Sequence, residues 1–248
     1  MTKDSSLPDQ TDWEMLQTGA SMLCGLLGRV LFSYPERDWL KPILEHDLFD
    51  EVPFASEQPD VVSALALLGP WSNDHRGELA QESLDQLRAD YTRLFIGPDR
   101  VLAPPWESVH RSVDRLLFQE QTLQVREWYR RFGLEVANIY REPDDHVALE
   151  LALLSHVAGL AAKAAEDRDE AALLRLIDAE RDFLAQHPVN WVPEWSEMVV
   201  RQARTVFYRG VALLTRGAIA ELAALLDVAV PAWGLESDAG DRYAHGGG

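Results

Sequence analysis

Apolar residues recur at helical spacing along nearly the whole chain. From Trp13 to Phe32, the positions Met15, Met22, Leu26 and Val30 fall at three- and four-residue steps, and Pro35 then ends or redirects that helix. Similar patterns cover Trp39 to Leu48 and Val61 to Leu68. Leu79, Leu84, Leu87, Tyr91, Leu94 and Phe95 place a stripe on a fourth helix. A fifth spans Leu116 to Phe132, closed by Gly133, the usual residue just past a helix end. In the second half, Val147, Leu151, Leu154 and Val157 share one face of a helix beginning near Pro143. Ala171 to Leu184, Met198 to Leu214, and Ala218 to Val228 give three more, the last stopped by Pro231. No alternating strand pattern of convincing length appears. The pattern predicts an all-α fold: a single globular helical domain of about nine helices over residues 11–233. Flexible ends are expected at 1–10 and 234–248, where polar residues and a closing Gly-Gly-Gly dominate.

Two segments break the rhythm. Ile96 to Ser108 (IGPDRVLAPPWES) is long for a connection between helices, and Val136 to Asp145 (VANIYREPDD) leads into the helix that carries His146. Long ordered loops on a helical scaffold are where chemistry is presented.

Length and composition narrow the class. A chain of 248 residues can bury a large core unaided, and 47% hydrophobic with 26% charged residues is ordinary for a globular protein. The charge is not ordinary: 23 Lys and Arg against 41 Asp and Glu give a net −18. Such a chain repels nucleic-acid phosphates and anionic membranes and favours cationic partners. Cys24 is the single cysteine, which excludes an internal disulfide or a CxxC metal knuckle, and its apolar neighbours mark it as a small buried hydrophobe. The amino-terminal residues mix Lys3 with Asp4, Asp9, Asp12 and Glu14, unlike a secretory leader. No apolar stretch offers about 20 uncharged residues, so no membrane span is expected.

Motifs for common chemistries are absent: no GxxxxGK[ST], no GxGxxG, no HExxH and no GxSxG. Glu107-Ser-Val-His110 has the Glu-x-x-His spacing of a di-iron bundle, but no second copy accompanies it. Glu142-Pro143-Asp144-Asp145-His146 reads first as a helix start, because Pro suits the first helical position and carboxylates suit the positive end of the dipole. That does not account for His146. As a cation it would be disfavoured by the dipole and favoured by the neighbouring carboxylates, with Glu150 one turn on. A metal site from Asp145, His146 and Glu150, or an acid–base role for His146, is the alternative chemistry. Pro104-Pro105-Trp106 is a stiff loop holding a large aromatic, which either closes the core or anchors a partner.

Together the two loops resemble the TorD/DmsD family of redox-enzyme maturation chaperones. The resemblance rests on Tyr91-Thr-Arg-Leu-Phe95-Ile-Gly97-Pro98, then Ala103-Pro-Pro-Trp-Glu-Ser108, then Glu142-Pro-Asp-Asp-His146 against that family's Glu-Pro-x-Asp-His signature. Phe183-Leu-Ala-Gln-His187 with Trp191-Val-Pro193 resembles a later helix–turn–helix pattern. Order and spacing agree over residues 15–215, closest to the DmsD-like branch; the chain departs from short members by a longer end after Leu226. The resemblance implies an all-helical cytoplasmic chaperone rather than an enzyme, with no catalytic residue; no motif in the sequence calls for a metal or cofactor. It implies binding of the twin-arginine signal peptide and the apo catalytic subunit of a molybdoenzyme, held for cofactor insertion before export. No nucleic acid or stable membrane insertion is expected, and the chain would be a monomer or a domain-swapped dimer. The implied leader-binding residues are Asp99, Pro104, Pro105, Trp106, Ser108, Glu142, Pro143, Asp144, Asp145 and His146. On this expectation a twin-arginine leader would pair its guanidinium groups with Glu142, Asp144 and Asp145 and its apolar stretch with Trp106 and the prolines.

Overall fold

The stripe beginning at Trp13 folds as α1 (Gln10–Phe32). The computed structural model describes residues 10–97, 100–112, 116–135 and 143–231. After α1 come α2 (Arg37–Glu45), α3 (Pro59–Asp74) and α4 (Gln81–Tyr91). A single π-helical turn, Thr92–Ile96, extends α4. Then follow α5 (Glu107–Arg111), α6 (Glu120–Arg131), α7 (Val147–Glu166) and α8 (Glu170–Gln186). A 3-10 turn, Pro188–Asn190, leads to α9 (Val192–Gln202) and α10 (Val206–Leu225). The all-α expectation holds: the described residues contain ten α-helices and no strand, and their one extended pairing is an isolated antiparallel bridge between Trp106 and His146.

The most extensive helix pairing joins α1 to α7. Small residues let the two backbones approach closely. A Cβ on Gly28 would lie 2.9 Å from the Ala148 carbonyl oxygen. Beside it, Ser21 and Ser155 each donate through Oγ to the other's carbonyl oxygen at 2.8 Å, so both hydroxyls are satisfied in the seam. Both helices are long and apolar enough to cross a membrane, yet half or more of the apolar stretch of each is buried within the protein. That is the use a core makes of such helices. The second pairing, α3 with α10, brings α10 through the middle of the core, where Phe207, Tyr208, Val211, Leu214 and Leu222 are all fully buried. Cys24 is buried as expected, and burial pushes its thiol pKa well up, away from thiolate reactivity.

Three boundaries differ from the sequence reading. The fifth helix starts at Glu120 rather than Leu116, leaving Leu116 and Phe118 half-exposed in a turn where Phe118 has φ 58°. The helix after the Pro143 motif starts at Val147, so Pro143 to Asp145 form a turn instead of a first helical turn. The break near residue 215 does not exist: α10 runs unbroken through Gly217, and the true break lies between Gln202 and Val206. There Asp90 Oδ2 accepts from the Arg204 and Thr205 amides at 2.9 and 2.8 Å, and from the Thr205 hydroxyl at 2.8 Å. A carboxylate far away in sequence therefore stabilises this interruption. Of the ends expected to be flexible, Gln10 belongs to α1, and residues 1–9 and 232–248 lie outside the described residues.

Candidate functional site

The long loop leaves the π-helical turn at Gly97, whose φ is 64° and whose added Cβ would meet the Arg100 backbone at 2.8 Å. Only glycine fits that corner. The returning limb of the loop is pinned by Ala103 N–H to the Leu94 carbonyl at 2.9 Å. His110 Nε2 contacts the Pro104 carbonyl oxygen at 2.7 Å. Pro98 and Asp99 lie outside the described residues.

The two suspicious loops meet. Val147 N–H donates to the Pro105 carbonyl at 2.8 Å, and Glu107 N–H to the Asp145 carbonyl at 2.9 Å, so Trp106 and His146 face each other across a short bridge. Asp145 strengthens the junction. Its Oδ2 accepts from the Ser108 amide at 2.7 Å, and its Oδ1 from the Thr122 hydroxyl at 2.7 Å. Asp145 thus caps α5 and holds α6, a different task from capping the helix that follows it. Asp144 Oδ2 accepts from Arg126 Nε at 2.8 Å. Both carboxylates are buried; both oxygens of Asp145 and Oδ2 of Asp144 are engaged by the protein itself.

His146 is resolved by burial. Its Nδ1 accepts from the Ala148 amide at 3.1 Å, which makes it the N-cap of α7, and burial lowers its pKa to about 3. A neutral imidazole ends the conflict between dipole and neighbouring carboxylates. Its ring is met edge-on by Trp106, with centroids 5.9 Å apart, and by Phe32 at 5.7 Å. Trp106 is partly exposed, so it does not close the core, and Phe32 is 47% exposed. The result is a row of three rings whose outer two reach solvent. Pro104 is also partly exposed, while Pro105, Ser108 and Pro143 are buried behind it. Glu142 lies outside the described residues.

Beneath this row sits a buried polar layer. Glu107 Oε2 contacts His187 Nδ1 at 2.7 Å, and Trp191 Nε1–H donates to Glu150 Oε2 at 3.0 Å. The carboxyl of Glu150 is within hydrogen-bonding reach of Glu107; burial, then the Glu107 charge, raise its pKa well above the usual range. The alternative metal chemistry is not supported: among the described residues no three His, Cys, Asp or Glu side chains gather as a metal site. Glu107 turns to His187 and His110 to Pro104, so the Glu-x-x-His spacing does not converge. Sequence reading missed Phe32, which carries no local signal, and the structural part played by His187, which was visible only as the last residue of the FLAQH pattern.

A family model described as the nitrate reductase delta subunit matches residues 57–197, more than half of the chain. The chain belongs to this family, the TorD/DmsD chaperones. It is 29% identical over 205 residues to the Tat proofreading chaperone DmsD of Salmonella typhi, covering 83% of this chain and 89% of that protein. It is 32% identical over 150 residues to the chaperone protein TorD of Vibrio cholerae, covering 60% of this chain and 62% of the other. A probable Tat proofreading chaperone DmsD of Haemophilus influenzae is 28% identical over 154 residues, or 62% of this chain and 68% of its own length. In this TorD/DmsD member the matched segment holds both loops and the buried polar layer, whereas Phe32 precedes it.

Proposed function

We propose that this protein is a cytoplasmic, non-catalytic chaperone. It binds the twin-arginine leader and the apo catalytic subunit of a molybdenum-containing oxidoreductase and holds them until cofactor is inserted. The observation that carries the reading is the junction of the two loops, which presents Trp106 beside a rigid, carboxylate-rich turn. The names of the relatives, Tat proofreading chaperones among them, support it.

The eight described residues among the ten proposed for leader binding divide by accessibility. Trp106 and Pro104 offer apolar contact. Asp99 and Glu142, outside the described residues, are proposed on the resemblance alone to offer carboxylates to the leader's guanidinium groups. Pro105, Ser108, Pro143, Asp145 and His146 hold the turn in place from within. Asp144 already carries a guanidinium, that of Arg126, and so shows the pairing chemistry that a leader arginine would use. With a net −18, encounter with a doubly cationic leader is steered, and affinity falls with salt.

Calorimetric titration with a twin-arginine leader peptide tests this, with a Lys-Lys peptide as control. Binding at micromolar Kd or tighter is expected, weakened at least tenfold by Trp106→Ala and by added salt. Equal binding of both peptides, or affinity indifferent to salt, overturns the carboxylate part of the reading.

A further inference from the structure

The polar layer under the loops poses a problem of valence. Glu107 Oε1 and Glu150 Oε1 are both buried and find no donor, and the two carboxyl groups are within hydrogen-bonding reach of each other. Two carboxylates are acceptors only, and like charges in a dry site repel. One proton between them turns this clash into a hydrogen bond and satisfies both oxygens. The remaining oxygens are already used, Oε2 of Glu107 by His187 and Oε2 of Glu150 by Trp191. We propose that Glu107 and Glu150 share a single proton, and that this carboxyl pair is a latch fastening the 100–112 loop to α7 and to the 187–191 turn, released when the second carboxyl ionises.

The geometry explains why release would be local. Glu107 is the first residue of the short helix α5, Glu150 lies in the first turn of α7, and His187 and Trp191 flank the 3-10 turn. Three chain segments therefore meet at one proton. The groups facing the pair all bear on it. Asp145 adds negative charge close to Glu150. His187 faces Glu107 from the turn through Nδ1, and its Nε2 is buried without a partner. Tyr129 faces from α6 as a neutral phenol whose hydroxyl donates to the Leu149 carbonyl. Asp144 is offset by Arg126. His110 stacks on Trp191 with centroids 5.2 Å apart, and its Nε2 lies against the Pro104 carbonyl. Among these groups no lysine or arginine faces the pair directly, so losing the shared proton leaves two adjacent negative charges in a buried site with only the His187 ring against them.

The test does not depend on what the protein binds. Hydrogen exchange read by mass spectrometry follows peptides covering 100–112 and 187–195 as pH rises. In the wild type, opening coupled to loss of one proton accelerates their exchange by up to about tenfold per pH unit beyond the intrinsic rate. Glu150→Gln mimics the protonated state, keeping an acceptor for Trp191 and a donor for Glu107, so this excess should vanish. Infrared difference spectra should show a protonated-carboxyl band at neutral pH that loses one component in Glu150→Gln. A wild type lacking that component, or a Glu150→Gln protein whose loop exchange keeps the wild-type pH response, overturns the proposal. Should Glu150→Gln fail to fold, Glu107→Gln and the wild-type infrared titration decide the matter by the same criteria.

Discussion

Single buried residues give this protein opposed responses to pH. Glu180 receives a hydrogen bond from Gln17 at 2.9 Å, and burial raises its pKa from 4.5 to about 8. The native state therefore holds a proton that the unfolded chain has lost, and stability due to this group is present below about pH 4.5 and gone above about pH 8. The slope is at most about 1.4 kcal/mol per pH unit. His146 acts the other way, because its pKa falls from 6.5 to about 3. Its contribution is present above about pH 6.5 and is lost as pH falls toward 3. Between about pH 4.5 and 6.5 the two slopes oppose each other. Urea denaturation should separate them. Glu180→Gln is expected to flatten the loss of stability between pH 6 and 8, and His146→Asn, which keeps a capping oxygen for the Ala148 amide, the loss below pH 6.

At the scale of elements, the site depends on borrowed caps. Thr122 donates to Asp145, which in turn holds the start of α5, so Thr122→Val leaves a buried carboxylate oxygen unpaired. A cost of about 1–3 kcal/mol is expected in chemical denaturation, with helix content retained by circular dichroism and the 100–112 loop loosened. The same borrowing limited what could be read from the sequence. Helical periodicity gave α1 and α8 nearly whole, because their apolar faces decide where they lie. It misplaced the start of α6, because Leu116 and Leu117 look like core positions and yet are exposed. It missed the break before α10, which Asp90 organises from another helix, although Thr205 as an N-cap to the Tyr208 amide was a signal at hand. Gly217 lies in the gap left between the two helices expected over Met198–Leu214 and Ala218–Val228, and it is a close contact with Val61 and Gln58 inside one helix. The two loops were visible as breaks in the pattern, and their likeness to one family drew them together. That Asp144 and Asp145 point inward depends on Arg126, Thr122 and Ser108, which no local pattern ties to them.

The whole molecule hangs on the seam between α1 and α7. Gly28→Ala would drive a methyl group into the Ala148 backbone, where nothing flexible can yield, and push the helices apart just behind the His146 cap. A loss of about 1–3 kcal/mol is expected, read as a lower Tm, and the change should also weaken whatever the neighbouring loops bind. The seam also has a consequence in time. At a synthesis rate of roughly 5–20 residues per second, the ribosome needs roughly 6–23 s to travel from the end of α1 at Phe32 to the start of α7 at Val147. Throughout that interval a helix apolar and long enough to pass for a membrane segment has been made, and its partner has not. A protein placed among the guardians of unfinished enzymes thus begins its own life as an unfinished chain in need of guarding.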